Sequence, residues 1–255
     1  MKKAWNPTRR NRNIGTAKQG YGQDNKMCIP QPWDTDLTFY ERLTKYEKYS
    51  IKAYGRKITV VVEELTKGFY YSCTGHDVER ILNFLPDQDI KGLGLIVFRQ
   101  PKKKERILSS VWGRLIYCMK FEKKYSPAII IEAFPECDVY EFSKKQSVDS
   151  KQEFELLKKD GLKFREDKRN FVADIDESLV RNVQLYRTLL HEVGHYVQYL
   201  EVVERPEEDF EEGASLWEKY LTIPSAEKET FANNYAVKMK AELIQKSVIP
   251  FNKIE

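Results

Sequence analysis

The strongest constraint on this chain is a run of apolar residues with helical spacing in its second half. Leu179, Val183, Tyr186, Leu190, Val193, Val197 and Leu200 recur every three or four residues and draw one apolar stripe along a single long helix. Pro206 marks its far end. Asp174 and Glu177 have capping-box spacing at its near end, with a start one turn later as the alternative. In the middle of this helix stands His191-Glu192-Val193-Gly194-His195. An α-helix turns once in about 3.6 residues, so histidines four apart project from one side, one above the other. Two imidazoles so placed can grip one zinc ion at about 2.0–2.1 Å. Glu192 points about 100° further around the axis. There its carboxylate reaches a metal-bound water without being a ligand, and it serves as general base in hydrolysis. The chain has 3 histidines, and two of them stand in this motif.

A catalytic zinc needs a third protein ligand and one open position. Glu229 is the best-placed candidate, 34 residues after His195 on a later helix, after enough chain to return to the site. Asn233 lies four residues on, hence on the same face, where it can orient His191 or His195. Ala232 and Ala236 are small and allow this helix a close approach. Glu227 is the fallback, though about 160° away from Glu229 around the axis. Glu201 and His76 remain as further alternatives.

Strands dominate upstream of the long helix. Leu37 to Lys52 is mixed and reads as helical in part. Ile58 to Val62 and Phe69 to Tyr71, around Lys67-Gly68, have the composition of a hairpin. A short helix is expected from Gly75 to Leu85, ended by Pro86. Leu93 to Phe98, Ile107 to Tyr117 and Ala128 to Phe134 follow as strands, with Lys102 to Lys104 at a solvated hairpin tip. Residues 137–170 are highly charged and read as a surface insertion with a helical piece at Gln152 to Leu157. After the long helix come Phe210 to Tyr220 and a second helix opened by Pro224-Ser225, with Ser225 as N-cap. Strands first and helices afterwards argue for an α+β domain.

The segment Leu189-Leu190-His191-Glu192-Val193-Gly194-His195, followed by Glu229-x-x-Ala232-Asn233-x-x-Ala236, resembles the gluzincin-type zinc metallopeptidases of the ImmA/IrrE family. The resemblance implies a zincin-like fold: a small mixed or antiparallel sheet, an active-site helix, then C-terminal helices. It also implies one Zn2+ per chain with Glu229 as third ligand, and an intracellular endopeptidase that cleaves one or few protein substrates. The charged segment at 137–170 is a departure from the family pattern, and nothing before Cys73 matches it.

Composition bounds the setting. Residues 1–36 form a basic arm, expected to be disordered, ahead of a domain at 37–255; up to Lys26 it holds seven Lys or Arg against Asp24. It reads as a solvated tail, with a weak nucleic-acid contact as its other use. A non-catalytic regulator of the same fold, binding protein or DNA through this arm, is the alternative to a peptidase. No segment has the length and apolarity of a membrane span, and Cys28, Cys73, Cys118 and Cys137 show no Cys-x-x-Cys pair, so a cytoplasmic protein with reduced thiols is expected. The acid run Glu207 to Glu212 reads as solvated, though lining a cleft it would favour basic substrates. Substrate is expected along an exposed strand edge, near Ile129 or Phe171 to Ala173. Tyr196, Tyr199, Tyr220 and Tyr235 lie near the motif in sequence, and none is singled out as an oxyanion-stabilising group.

Overall fold

Tyr54 and Gly55 both take positive φ, 49° and 76°, and this two-residue turn folds strand β1 (Tyr46–Ala53) back on β2 (Arg56–Glu63). The computed structural model describes residues 42–102, 111–136, 139–144, 148–206 and 210–254, with backbone alone over 148–153 and 210–214. The basic arm at 1–36 lies outside the described residues. So do Cys28, Lys103, Lys104, Cys137, the start of the strand expected from Ile107 and residues 207–209 of the acid run.

β2 runs parallel to β4 (Leu95–Arg99), β4 parallel to β6 (Lys124–Glu132), and β6 antiparallel to β5 (Gly113–Phe121). The result is a 5-stranded mixed sheet in the order β1-β2-β4-β6-β5. β4 is buried along its whole length, which matches its unbroken apolar run Leu95-Ile96-Val97-Phe98. Between β2 and β4 comes helix α1 (Gly75–Leu82), started by a capping box of Thr74 and Asp77.

Two expectations fail upstream. Tyr46 to Lys52, read as helical in part, is strand: Ile51 and Ala53 alternate inward beside the β2 ladder. Phe69 does not return on β2, because β1 and β4 occupy both edges of that strand. Phe69–Tyr70 (β3) pairs with Phe134–Pro135 (β7) instead.

The charged segment builds a unit of its own. Val139–Ser143 (β8), Phe164–Glu166 (β9) and Asn170–Asp174 (β10) form a 3-stranded sheet in the order β8-β10-β9, and Val148–Lys159 is helical (α2). Its apolar residues cluster without regular periodicity in sequence: Tyr140, Phe142, Phe154, Leu157, Leu162 and Ala173 form a second core with Trp112, Val180 and Val183.

The long helix is continuous from Glu177 to Glu204. It comprises α3 (Glu177–Val183), a π-helical turn Gln184–Thr188, α4 (Leu189–Tyr199) and a second π-helical turn Leu200–Glu204. Its N-cap is Asp176, which accepts a hydrogen bond from the Leu179 N–H at 2.7 Å. Asp174, expected in a capping box, pairs with Arg165 instead. The apolar stripe divides: Leu179 and Val183 pack in the second core, and from Tyr186 onward Leu190, Val193, Val197 and Leu200 join Ile96, Phe98 and Ile129 in the principal core. Buried Gln184 fixes its placement: its amide donates to the Trp112 and Glu132 carbonyls at 3.1 and 2.7 Å and accepts from Ser72 Oγ at 2.5 Å. Helices α5 (Phe210–Thr222) and α6 (Ser225–Gln245) follow, with Pro224 rather than Ser225 at the N-cap of α6. The molecule is therefore α+β, with a small mixed sheet first and helices after it. Among the described residues no helix is long and apolar enough to cross a membrane.

A buried ion pair ties the two halves together. Arg181 donates to both carboxylate oxygens of Asp77 at 2.9 and 3.0 Å, and Asp77 also accepts from the backbone N–H of Ile254. Removing one partner of such a pair strands the other charge, at a cost of about 3–5 kcal/mol. Arg181→Met should therefore lower the unfolding free energy by about that amount in urea denaturation. An unchanged midpoint would show the pair to be dispensable.

Candidate metal centre

The His-bearing helix and α6 can meet because Gly194 has no side chain. A Cβ at Gly194 would stand 2.9 Å from both the Cα and the carbonyl oxygen of Ala232, well inside contact distance. Fully buried Ala232 supplies the matching small residue on α6. The two backbones thus nearly touch between His191 and His195 on one side and Glu229 and Asn233 on the other.

The three expected ligand side chains converge. His191 Nε2 lies 3.0 Å from His195 Nε2, 3.2 Å from one Glu229 carboxylate oxygen, and His195 Nε2 lies 3.4 Å from the other. Donor atoms about 2.0–2.1 Å from a tetrahedral centre stand about 3.3–3.4 Å apart, so these separations, with a different Glu229 oxygen toward each histidine, are of the order one zinc ion would need. Two unprotonated Nε2 atoms this close would face lone pair to lone pair, and a cation between them removes the repulsion. Asn233 Oδ1 accepts from His191 Nδ1 at 3.0 Å, which puts the proton on Nδ1 and directs the Nε2 lone pair into the triangle. Among the described residues this is the one group of three acids, histidines or cysteines able to share an ion.

When the histidines are protonated, the same three groups form an ion-pair cluster, with Nε2 donating to Glu229. Hydrogen bonds from His191 and then His195 hold the Glu229 carboxyl well below the usual carboxylate range. Burial favours neutral His191, but its bond to Glu229 and the charges of Glu192 and Glu229 outweigh this and raise its pKa.

The other candidates stand elsewhere. His76 bonds to Glu79 on α1, and Glu201 pairs with Arg205. Glu227 is not among the residues that line the cleft with the triangle. Burial pushes the Cys73 thiol up to about 12, unsuited to metal or redox work.

Glu192 is buried, 8% exposed, and opens on the same cleft of about 670 Å³ as His191, His195 and Glu229. One wall of that cleft is β5, through Gly113, Arg114, Leu115 and Tyr117. β5 is an edge strand, whereas β6 with Ile129 lies between β4 and β5, and β10 with Phe171 lies between β8 and β9. Both expected substrate edges are therefore paired on both sides, and among the described residues β5 is the end strand of the main sheet that borders the cleft. Its ladder with β6 shifts register between Ile116 and Met119, around Tyr117.

Tyr117 is the cleft tyrosine that sequence proximity misses. Its hydroxyl lies 2.7 Å from that of Tyr220, and burial, followed by this bond, raises its pKa. Tyr196, Tyr199 and Tyr235 bond instead to the Lys91 carbonyl, Glu204 and Asp89. Only the strand pairing brings Tyr117 to the motif, and no local signal marks it. No family model, no curated protein and no solved structure matches this chain.

Gly194→Ala should force α6 outward, lower stability by about 1–3 kcal/mol and weaken zinc binding, read together by urea unfolding and zinc titration. Unchanged zinc affinity would mean that the close approach does not hold the triangle. The ionic cluster also carries a pH signature in chelator-treated protein. The contribution of Glu229 is present above its ordinary pKa of 4.5 and is lost as pH falls through the lowered folded value. That of His191 is full below 6.5 and is lost as pH rises through the raised folded value. The Tm difference between wild type and Glu229→Gln should therefore be greatest between these two values and narrow toward alkaline pH.

Proposed function

We propose that this protein is a cytoplasmic zinc-dependent metallopeptidase of zincin-like architecture, akin to the ImmA/IrrE gluzincins, that hydrolyses peptide bonds in one or few protein substrates. The observation that carries this reading is the triangle of His191, His195 and Glu229, 3.0–3.4 Å on its sides, in one cleft with buried Glu192. A zinc ion there would supply Lewis-acid chemistry, making a water acidic enough to ionise near neutral pH and polarising a carbonyl.

The chain's own residues do the remaining work. His191, His195 and Glu229 would hold the ion, and Asn233 keeps His191 in the tautomer that presents Nε2. Glu192 supports hydrolysis over mere metal storage, because a carboxylate beside the ligands can take a proton from the attacking water. It then delivers that proton to the leaving nitrogen. As the end strand of the main sheet, β5 can pair with an extended peptide through backbone hydrogen bonds, bringing one substrate carbonyl over the triangle. The unpaired Cys73 and Cys118 accord with a reducing compartment.

Elemental analysis should find one zinc per chain in wild type and its loss in Glu229→Ala. Glu192→Gln should keep the zinc and lower peptide hydrolysis by about 10²- to 10⁴-fold. Wild type without zinc, even after reconstitution, would overturn the proposal in favour of a non-catalytic regulator.

A further inference from the structure

Tyr117 borders the candidate metal centre, yet neither the ligand triangle nor Glu192 uses its hydroxyl. It lines the cleft together with His191, Glu192, His195 and Glu229. Along β5, Gly113, Leu115 and Tyr117 alternate onto one face. That face meets the His-bearing helix: a Cβ at Gly113 would touch Thr188, and Leu115 packs on the principal core. Tyr117 stands in a bulge, where β5 steps from Ile116 to Met119 while β6 steps only from Ala128 to Ser126. Bulges of this kind re-aim side chains.

Three neighbouring rings hold the Tyr117 ring in place. Those of Tyr199, Trp217 and Tyr220 lie 4.9, 5.5 and 5.7 Å away, centre to centre. Tyr199 follows His195 by one helical turn and Glu192 by two, so it continues their side of the helix. The ring of Tyr117 therefore packs at the end of the stripe that carries the site. The charges of Glu192 and Glu229 both act on its hydroxyl.

That hydroxyl has a proton to offer. Tyr117 and Tyr220 share one hydrogen bond of 2.7 Å, in which either oxygen can be the donor. Two hydroxyls carry two protons, and their mutual bond uses one. Tyr220 is 1% exposed, and Tyr117 is the one hydrogen-bond partner of its hydroxyl among the described residues. A second proton on Tyr220 is buried without an acceptor, whereas on Tyr117 it borders the cleft. An acceptor entering the cleft is thus met by the Tyr117 O–H, while Tyr220 donates to Tyr117 Oη from behind. Hydroxyl rotation alone makes this switch, and a chain of two hydroxyls strengthens the outer bond. Burial, then the bond to Tyr220, then the charges of Glu192 and Glu229 keep the proton on Tyr117, which makes it a donor rather than a base.

Resting on the peptidase reading of the cleft, we infer that Tyr117 is a catalytic residue. Its hydroxyl donates a hydrogen bond to the substrate carbonyl oxygen as that oxygen becomes negative, and Tyr220 is the positioning residue behind it. A donor held in advance where charge develops is among the most effective devices for hydrolysis.

The test compares two probes on zinc-loaded full-length protein, neither of which can be hydrolysed. One is a fluorescein-labelled peptide pool with a phosphinate in place of one amide, which is tetrahedral and anionic like the reacting carbon. The other is a labelled peptide pool ending in a thiol, which binds zinc and offers no such oxygen. In fluorescence anisotropy, Tyr117→Phe should weaken phosphinate binding by about 10- to 100-fold and thiol binding by less than about threefold. Tyr220→Phe should weaken phosphinate binding alone, by about three- to tenfold. Zinc content and circular dichroism are checked in each variant. Should Tyr117→Phe lose its fold or its zinc, Tyr220→Phe decides by the same comparison. Unchanged phosphinate binding, or equal weakening of both probes, overturns the inference and leaves the peptidase reading standing. Binding of neither probe, with zinc present, overturns the peptidase reading and this inference with it.

Discussion

The approach of two helices at Gly194 and Ala232 is the constraint on which the site depends. Any side chain at Gly194 would meet the backbone of α6 at 2.9 Å. Metal donor atoms must close to within a few tenths of an ångström, and helix axes packed at ordinary side-chain distance stand 8–10 Å apart. The paired small residues remove that spacing where Glu229 has to reach across to His191 and His195. Asn233, one turn beyond Glu229, then falls beside His191 Nδ1 without further adjustment.

The rest of the fold holds the His-bearing helix in register with the sheet. Gln184 ties its N-terminal half to the carbonyls of Trp112 and Glu132, where β5 begins and β6 ends. Gly113 allows Thr188 to press against β5: a Cβ there would lie 2.9 Å from Thr188 Cγ2. These contacts set β5, the end strand of the main sheet, beside the histidines and so help form the cleft. The charged segment at 137–170, with its own small core, supplies Leu156 to the same wall and Asp160 behind Arg187. A segment that looks like surface decoration in sequence thereby borders the site.

The errors of the sequence reading have one physical source. Tyr46 to Ala53 is strand because pairing with β2 overrides a weak local preference, and Phe69 pairs elsewhere because strand partners are set by which edges remain open, of which neighbouring residues carry no record. Tyr196 and Tyr199 lie close to His195 in the chain yet point into other hydrogen bonds, while Tyr117 arrives from 74 positions before His191 through strand pairing. The 137–170 core is not legible in the sequence because short strands and one helix in a row give no sustained period.

By itself the sequence determined what travels with local periodicity. It marked the long helix, the shared face of His191 and His195, the offset of Glu192, and the pairing of Glu229 with Asn233 on one later face. These follow from 3.6 residues per turn and survive any packing that keeps the helices. It also determined the α+β class, from strands first and helices after. The tertiary structure alone decided which acid reaches the histidines, which strand edge borders them and which cations line the cleft. Those depend on distances between segments far apart in the chain, set by packing at Gly194, Gly113 and Gln184, and no local pattern encodes them.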